Sequence, residues 1–142
     1  MNILFFLTPK IEVAYIFDTF TVRQALETLK KRGFSAIPMI DKNGKYIGTV
    51  TEGDLLWYVL EHREDDPENF DKVKIKQIVR RKNHCAVRAD KKIEELVDLV
   101  KNQNFVPVLD DDDRFIGIVT RRVIMQYCTE AMVPNSKGKA IV

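Results

Sequence analysis

Two short stretches of this 142-residue chain place polar side chains where a strand pattern passes into a helix pattern. In the first stretch, IGTVTEGD (47–54), Thr51 is followed three residues later by Asp54. A hydroxyl at a helix start suits a phosphate, and a carboxylate offers two acceptor oxygens to the two hydroxyls of a sugar diol. The same T-x-x-D spacing also forms a capping box, in which both side chains satisfy backbone N–H groups. Residue types alone leave both interpretations open.

The second stretch, IGIVTRRV (116–123), repeats the first and then departs from it. Thr120 corresponds to Thr51, but Arg121, Arg122 and Val123 replace a Glu-Gly-Asp sequence. Guanidinium groups favour phosphate oxygens, with bidentate contacts where the geometry allows. The helix dipole disfavours cations at a helix start, so two arginines there need a reason. The alternatives are a solvated helix start for the arginines and a simple N-cap for each threonine.

These stretches belong to a longer internal repeat. A shift of 69 residues pairs Pro38-Met39-Ile40-Asp41 with Pro107-Val108-Leu109-Asp110. Upstream, residues 22–26 pair with residues 93–97 at a shift of 71, so the second copy is two residues shorter before its proline. Repetition of this length indicates two similar supersecondary units, neither of which buries its apolar face alone.

Each unit predicts the same order of elements. In the first, a helix over 21–31 is capped by Asp18 or Thr21 and ended by Gly33, and it precedes a strand at 36–40, a turn at 41–44, a strand at 45–50 and a helix after Thr51. The second predicts a helix at 91–103, a strand at 105–109, a turn at 110–113, a strand at 114–119 and a helix at 121–128. Pro38 and Pro107 lie inside strand patterns, which predicts a sheet edge or a bulge at each.

The units are divided by a polar, mostly acidic connector. We predict one repeat over 1–64, a linker over 65–71, a second repeat over 72–130 and a flexible tail over 131–142. The basic amphipathic piece KIKQIVRRK (74–82) leads into the second repeat.

Composition excludes several classes of function. The net charge of +2 and the lack of aromatic platforms beside the basic pairs argue against a nucleic-acid binder. The sequence has no CxxC or HxxxH spacing, so it predicts no zinc site. Cys85 and Cys128 are expected to be small core residues. The sequence shows no nucleophile–base pair, no paired carboxylates and no glycine-rich phosphate loop, so we do not expect an enzyme. Without a signal sequence or an apolar run of about 18 residues, we expect a cytoplasmic protein that does not cross a membrane.

The doubled pattern h-P-h-h-D, turn, h-G-h-h-T resembles the cystathionine-β-synthase (CBS) domain family. The resemblance covers about residues 5–61 and 72–130 and includes AIPMIDKNGKYIGTVTEGDLL in the first copy. It implies an α+β fold in which two βαββα repeats pack about a pseudo-twofold axis into one module. It also implies adenosine-containing ligands in two clefts between the repeats, with no catalytic cofactor and no metal.

By this resemblance, each cleft combines one repeat's junction with the other repeat's entry segment. The first cleft would hold the ligand with Thr51, Asp54, Asn83, Cys85, Ala86, Val87, Val106 and Pro107. The second would use Lys10, Ile11, Val13, Ala14, Tyr15, Ser35, Ala36, Ile37, Pro38, Thr120, Arg121 and Arg122. Because Val123 stands where the ribose-binding acid belongs, the second cleft departs from the family pattern.

A branch of stand-alone CBS-pair proteins of Gram-positive bacteria carries T-R-R-V in its second repeat and binds cyclic di-AMP. The similarity implies a regulatory sensor of AMP, ADP, ATP or cyclic di-AMP that shifts between conformations and signals to another protein. We also expect a homodimer through the outer helices, which carry Leu55, Trp57, Leu60, Ile124 and Tyr127. The alternative function is a protein-interaction or dimerisation module whose clefts stay empty.

Overall fold

The computed structural model describes residues 1–132 of the chain. The α-helices span Val22–Arg32 (α1), Glu52–Glu61 (α2) and Arg121–Met132 (α3). The strands are Thr8–Pro9 (β1), Ile16–Phe17 (β2), Ala36–Ile40 (β3), Tyr46–Thr51 (β4), Val87–Arg88 (β5), Phe105–Leu109 (β6) and Phe115–Thr120 (β7). Within residues 1–132, no helix has the length and apolar character needed to cross a bilayer. The tail predicted over 131–142 begins inside α3, and its remaining residues lie outside the described part.

Two antiparallel hairpins form the centre of the molecule and confirm the predicted α+β architecture. Hairpin β3–β4 lies in a sheet of order β2-β3-β4, and hairpin β6–β7 lies in a sheet of order β1-β7-β6-β5. Their turns need one residue with a left-handed backbone. Gly44 fills that position in the first hairpin (φ 83°), and Asp113 fills the equivalent position in the second (φ 65°).

Of the two alternatives predicted for Pro38 and Pro107, a sheet edge or a bulge, the sheet edge is wrong, because both prolines lie in central strands. Strand β2 pairs only with Met39 and Ile40, so Pro38 precedes that ladder and needs no N–H for it. A register shift does occur one residue after each proline, between Met39 and Ile40 and between Val108 and Leu109. The predicted irregularity is therefore present, but inside the sheet.

The first helix of each repeat forms differently. Helix α1 starts at a capping box between Thr21 and Gln24 and ends at Gly33 in the left-handed conformation (φ 71°). The single helix predicted over 91–103 is wrong: 3₁₀ turns at Ile93–Leu96 and Leu99–Lys101 replace it. The second copy has two residues fewer for this element. A 3₁₀ turn rises about 2.0 Å per residue against about 1.5 Å in an α-helix, so it covers more distance with fewer residues.

The chain's first residues pack into the second repeat. Ile3 is fully buried in the second core, where it joins the buried side chains Ile93, Leu96, Val106, Val119 and Ile124. Backbone bonds run from Ile3 N to the Lys91 carbonyl (3.0 Å) and from Ile93 N to the Met1 carbonyl (2.9 Å). Strand β1 then pairs antiparallel with β7.

The segment before the second repeat packs into the first. Ile75 and Ile78 are buried in the first core with Ile16, Val22, Ala25, Leu29, Ile37, Met39, Val50 and Leu55. Ile75 N donates to the Phe20 carbonyl at 2.7 Å. Each core thus contains the segment that precedes the other repeat. The boundaries predicted at 64 and 72 stay a prediction, and core packing crosses them.

A pseudo-twofold axis relates the hairpins where their turns meet. Tyr46 N donates to the Asp113 carbonyl at 3.2 Å, and Phe115 N donates to the Gly44 carbonyl at 2.8 Å. The shift of 69 residues exchanges the two bonds. The Tyr46 and Phe115 rings stack across the axis with centroids 6.4 Å apart. The repeats are therefore joined by backbone pairing as well as by side chains.

Replacing Ile3 by alanine tests the packing of the N-terminal segment. We expect Ile3→Ala to lower the free energy of unfolding by roughly 2–5 kcal/mol, because it leaves a cavity in the second core. Leu4→Ala, one residue later on the same turn, is the control, since Leu4 is 49% exposed and its loss should change stability by about 0.5 kcal/mol or less. Urea unfolding measures both, and equal midpoints for the two variants would contradict the described packing.

Candidate functional site

Each strand-to-helix junction is capped by its threonine. At the start of α2, Thr51 Oγ1 accepts from Asp54 N at 3.1 Å, and Asp54 Oδ2 accepts from Thr51 N at 2.9 Å. At the start of α3, Thr120 Oγ1 accepts from Val123 N at 3.3 Å, but Val123 has no polar group to return the bond. The capping interpretation holds at both junctions, and the first forms a complete capping box.

The two junctions meet at the pseudo-twofold axis. Asn104 Nδ2 donates to Ser35 Oγ at 2.9 Å, and these residues are equivalent under the shift of 69. Their carbonyls accept from the first residue of each helix, Glu52 N to Ser35 O (2.9 Å) and Arg121 N to Asn104 O (2.8 Å). Beside these contacts lies a cavity of about 370 Å³, here called the central groove. Its walls are Ser35, Ala36, Thr51, Glu52, Gly53, Lys82, His84, Lys101, Asn102, Gln103, Asn104 and Arg121.

The central groove carries an excess of positive charge. Lys82, Lys101 and Arg121 face one acid, Glu52. Arg121 is held in place by a bond from Nε to the Val100 carbonyl at 2.8 Å. Lys101 also lies 3.0 Å from the exposed carboxylate of Asp98, a contact that contributes little in water. The starts of α2 and α3 both lie at the groove, so their dipoles add to the positive potential. The groove therefore suits an anion such as phosphate.

His84 brings a polar atom without a partner to the groove wall. Its Nδ1 is buried and makes no hydrogen bond within the described residues. Burial lowers the pKa of His84, although a backbone hydrogen bond at Lys82 and the charge of Asp54 both oppose this effect. Burial therefore favours the neutral form of this imidazole, which forms part of the groove wall.

Asp54 is sealed from the groove. Its side chain is 2% exposed, and its second oxygen, Oδ1, accepts from Arg81 N at 2.8 Å. Both carboxylate oxygens are therefore bonded to backbone N–H groups. Asp54 instead borders a separate cavity of about 160 Å³ with Tyr58, Ile78 and Arg81. Ribose hydroxyls reach this carboxylate only if the chain near Arg81 moves.

The other residues predicted for the first cleft divide between surface and core. Gln103 fixes Cys85, accepting from Cys85 N at 3.0 Å and donating to its carbonyl at 2.9 Å. Val87 pairs with Val108 between β5 and β6. Val106 is fully buried in the second core and Pro107 is buried too, whereas Ala86 is half-buried and Asn83 is exposed. The structure does not bring this set into one cavity with Asp54.

Part of the second predicted cleft does assemble. Ser35, Ala36 and Arg121 line the central groove. Thr120 is half-buried at the end of β7, and Arg122 is exposed on the first turn of α3. Ile37 is fully buried in the first core, and Pro38 is buried beside it.

The entry segment of that cleft lies elsewhere. Pro9 pairs with Gly117, so the chain runs antiparallel to β7 and leaves toward the turn, away from Arg121. Lys10 Nζ lies 5.2 Å from the Tyr15 ring centroid, and Tyr15 packs edge-on against Phe115 at 6.3 Å. Phe115 begins β7 and Thr120 ends it, a separation of roughly 17 Å. Lys10 and Tyr15 are thus far from the arginine pair, as are the exposed Ile11 and the half-buried Val13 and Ala14.

Several groove residues were absent from the sequence prediction. Asn104 was detectable, because a shift of 69 maps it onto the predicted Ser35. Lys82 and His84 directly flank the predicted Asn83 in the sequence, so extending the prediction by one residue on each side would have found them. Lys101 gave no local signal, since its position depends on the 3₁₀ turn that ends at it.

Comparison with known proteins agrees with this architecture. The model of the CBS domain matches residues 7–61 and 75–130. A hypothetical conserved protein of Geobacillus kaustophilus superposes with a TM-score of 0.80 and 30% identity over 92% of this chain and 98% of its own. CbpB of Listeria monocytogenes, solved in complex with c-di-AMP, gives 0.76 and 26% over 89% and 93%. CBSX2, a CBS-pair protein of Arabidopsis thaliana, gives 0.72 and 23% over 92% and 96%, and its complex with AMP gives 0.72 and 22% over 92% and 98%.

Curated relatives differ in length. The chain spans 74% of one protein of Methanocaldococcus jannaschii at 26% identity, 39% of a second at 26%, and 20% of that organism's inosine-5′-monophosphate dehydrogenase at 29%. The same repeat thus occurs in short proteins and within longer ones. The CBS-domain model matches the chain twice in tandem, and each match contains one of the two hairpins. This chain therefore belongs to the CBS-domain family as a CBS pair.

Proposed function

We propose that this protein is a regulatory sensor that binds an adenine nucleotide in the central groove and transmits its occupancy to a partner protein. The observation that carries the proposal is the charge of the groove. Three cationic side chains and two helix starts converge on a cavity of about 370 Å³ that one acid only partly neutralises. Such a site favours phosphate groups, and its position between the repeats makes binding sensitive to their arrangement.

The junctions favour cyclic di-AMP among the candidate nucleotides. Neither junction presents a free carboxylate three residues after its threonine, the position expected to bind a ribose diol, because Asp54 is sealed and Val123 is apolar. A cyclic dinucleotide has its 3′ oxygens tied into phosphodiesters, so it needs no diol acceptor and gains from cations. Two phosphates related by a twofold axis also match a groove on a pseudo-twofold axis. The c-di-AMP complex of Listeria CbpB, a relative of the same fold, supports this assignment.

AMP, ADP or ATP is the second candidate. The Thr51–Asp54 pair retains the residue types that suit a phosphate and a diol, and the Arabidopsis neighbour is a complex with AMP. For such a ligand, Asp54 has to be released from Arg81 N. The ligand classes therefore differ in the conformation that they require of the protein.

A binding screen tests the proposed function. Thermal unfolding is followed with cyclic di-AMP, AMP, ADP and ATP, and with cyclic di-GMP as the base control. A ligand at 100 times its Kd stabilises the folded state by about 2.7 kcal/mol, which raises Tm by several degrees in a domain of this size. If no adenine nucleotide moves Tm, the sensor proposal fails, and the interaction module with empty clefts takes its place.

Removing the Arg122 side chain should weaken the binding of cyclic di-AMP. A charged hydrogen bond contributes about 1.5–3 kcal/mol, so Arg122→Ala is expected to raise the Kd by about tenfold or more. Arg122 is exposed, so the fold should tolerate the change. Arg32→Ala, at the exposed end of α1, is the matched control and should leave the Kd unchanged. Calorimetric titration measures both variants, and equal affinities would exclude Arg122 from the site.

The pKa of His84 should respond to the ligand. Burial favours the neutral imidazole, so this group reduces stability as pH falls below the ordinary value of about 6.5, where the unfolded chain takes up the proton more readily. A bound phosphate favours the charged imidazole, and saturation with cyclic di-AMP should raise the pKa of His84. An NMR titration of the two histidines, assigned with His84→Gln, measures this. An unchanged pKa at saturation would place the phosphates away from His84.

We also propose that the protein forms a homodimer through its outer helices. Leu55 and Ile124, predicted for this surface, are buried in the cores and are unavailable. The exposed apolar side chains on the same helices are Leu56, Trp57, Leu60, Met125 and Met132. Two apolar grooves accompany them, one of about 500 Å³ at α1 and α2 and one of about 370 Å³ at α3. The grooves are equivalent under the repeat.

Charge substitutions on this surface test the dimer. Leu56→Glu and Met125→Glu place a charge on exposed positions and should convert a dimer to a monomer without unfolding it. Lys31→Glu, on the exposed end of α1, is the control and should leave the mass unchanged. Light scattering coupled to gel filtration gives the mass. A monomeric wild-type protein at micromolar concentration would refute the dimer.

A further inference from the structure

A second segment of the chain already occupies the neighbourhood of the first junction. The Arg80–Arg81 segment, which leads into the second repeat, lies against strand β4 and contacts α2. Arg80 Nη1 donates to the Ile47 carbonyl at 3.0 Å, and Arg81 N donates to Asp54 Oδ1 at 2.8 Å. The contacts join residues 33 and 27 positions apart, so they are tertiary contacts between the second repeat's entry segment and the first repeat.

Gly48 provides the space for the Arg80 side chain. A Cβ built at Gly48 would lie 1.2 Å from Arg80 Nη1 and 2.4 Å from Arg80 Cζ. The guanidinium therefore lies directly on the glycine backbone, in volume that any other residue would fill. The equivalent glycine of the second repeat, Gly117, is covered differently, by the Thr8 carbonyl of β1 at 2.2 Å from its Cβ position. The arginine is thus a feature of the first repeat.

Arg81 fixes the same segment to α2. Its Nη2 lies 2.6 Å from Glu61 Oε1, and its guanidinium carbon lies 5.2 Å from the Trp57 ring centroid. These contacts are partly exposed, with Arg81 45% and Glu61 57% exposed, so each is weak in water. Together with the bond from Arg81 N to Asp54, they hold the segment against α2, which is here called the closed state. Because each contact is weak, the segment can also detach, which is here called the open state.

From these contacts we propose that the Arg80–Arg81 segment is an internal competitor that sets the ligand selectivity of the first junction. While the segment is closed, both oxygens of Asp54 are bonded and no ribose diol can use them. Phosphates can still reach the central groove, because Thr51 lines it and Asp54 does not. The closed segment therefore favours ligands that bind through their phosphate groups and disfavours mononucleotides that bind through their ribose hydroxyls. The inference rests on the proposed nucleotide function and specifies how that site chooses.

The physical consequence is a reduced affinity for mononucleotides. If the open state is a minor fraction of the ligand-free protein, the apparent Kd of AMP is raised by the inverse of that fraction. Weakening the segment should remove this penalty. Cyclic di-AMP bound to the groove should be affected little, since neither Arg80 nor Arg81 lines it.

Two variants open the segment by different means. Arg80→Ala removes the guanidinium, and Gly48→Ala keeps it but places a methyl group in the volume it occupies. We expect each to lower the Kd of AMP by about tenfold while changing the Kd of cyclic di-AMP less than about twofold. The double variant should equal Arg80→Ala, because the methyl group then has nothing to displace. Arg32→Ala again controls for loss of one positive charge.

Trp57 reports on the segment without any ligand, because it is the only tryptophan of the chain and lies under Arg81. Arg80→Ala and Gly48→Ala should increase acrylamide quenching of Trp57 and accelerate hydrogen exchange of the Arg81 amide. Arg81→Ala defines the signal of an uncovered Trp57. Unchanged quenching and exchange in both variants would overturn the inference.

The binding outcomes separate the two proposals. Cyclic di-AMP binding with no gain for AMP in either variant overturns the competitor role and leaves the sensor function standing. A second outcome also overturns the competitor role. If AMP affinity rises in Arg80→Ala and in the double variant but not in Gly48→Ala, the effect comes from the charge of Arg80 and not from the space that its side chain occupies. AMP binding that appears only in the opened variants supports the competitor. Failure of every nucleotide with every variant removes both proposals.

Discussion

The reciprocal backbone pairing of the two hairpin turns is the constraint on which the rest of the structure depends. The bonds from Tyr46 to Asp113 and from Phe115 to Gly44 set the repeats in one register about a pseudo-twofold axis. In that register the far ends of the hairpins also meet, where Asn104 bonds Ser35. Both helix starts then face one groove. A slip of the hairpins would separate the junctions and remove the groove between them.

Exchange of the entry segments makes the two repeats dependent on each other. The N-terminal turn completes the second core with Ile3, and residues 75–78 complete the first core with two isoleucines. Neither core is closed by its own repeat alone. A change in the angle between the repeats must therefore move these segments, and the Arg80–Arg81 segment is the continuation of one of them.

The departure from symmetry matters as much as the symmetry. The scaffold is the same at both junctions, down to the backbone bonds that Glu52 and Arg121 donate. The side chains differ. At the first junction Asp54 accepts a hydrogen bond from Thr51 N, whereas Val123 at the second junction has no group that could accept one from Thr120 N. Val123 stands in place of that acid, and the second repeat brings Arg121 to the groove. The two junctions thus share one backbone geometry but carry different side chains.

Local elements were well predicted from the sequence, and contacts between distant residues were not. The hairpins, α1, α2 and the Thr51–Asp54 capping box follow from period, turn residues and T-x-x-D spacing, all of which act within a few residues. The failed helix at 91–103 shows the limit, because the strands on either side determine the distance that a shorter segment must span.

The sequence by itself determined the two-repeat α+β scaffold and the break in charge between its junctions. Only the tertiary structure decided that Asp54 is sealed by Arg81, that Lys10 lies at the far end of β7 from Arg121, and that Lys82, His84 and Lys101 reach the groove. The physical reason is that local periodicity reports which face of an element is apolar. It carries no information about which distant backbone N–H will satisfy a buried carboxylate, since that partner is chosen by the packing of the whole chain.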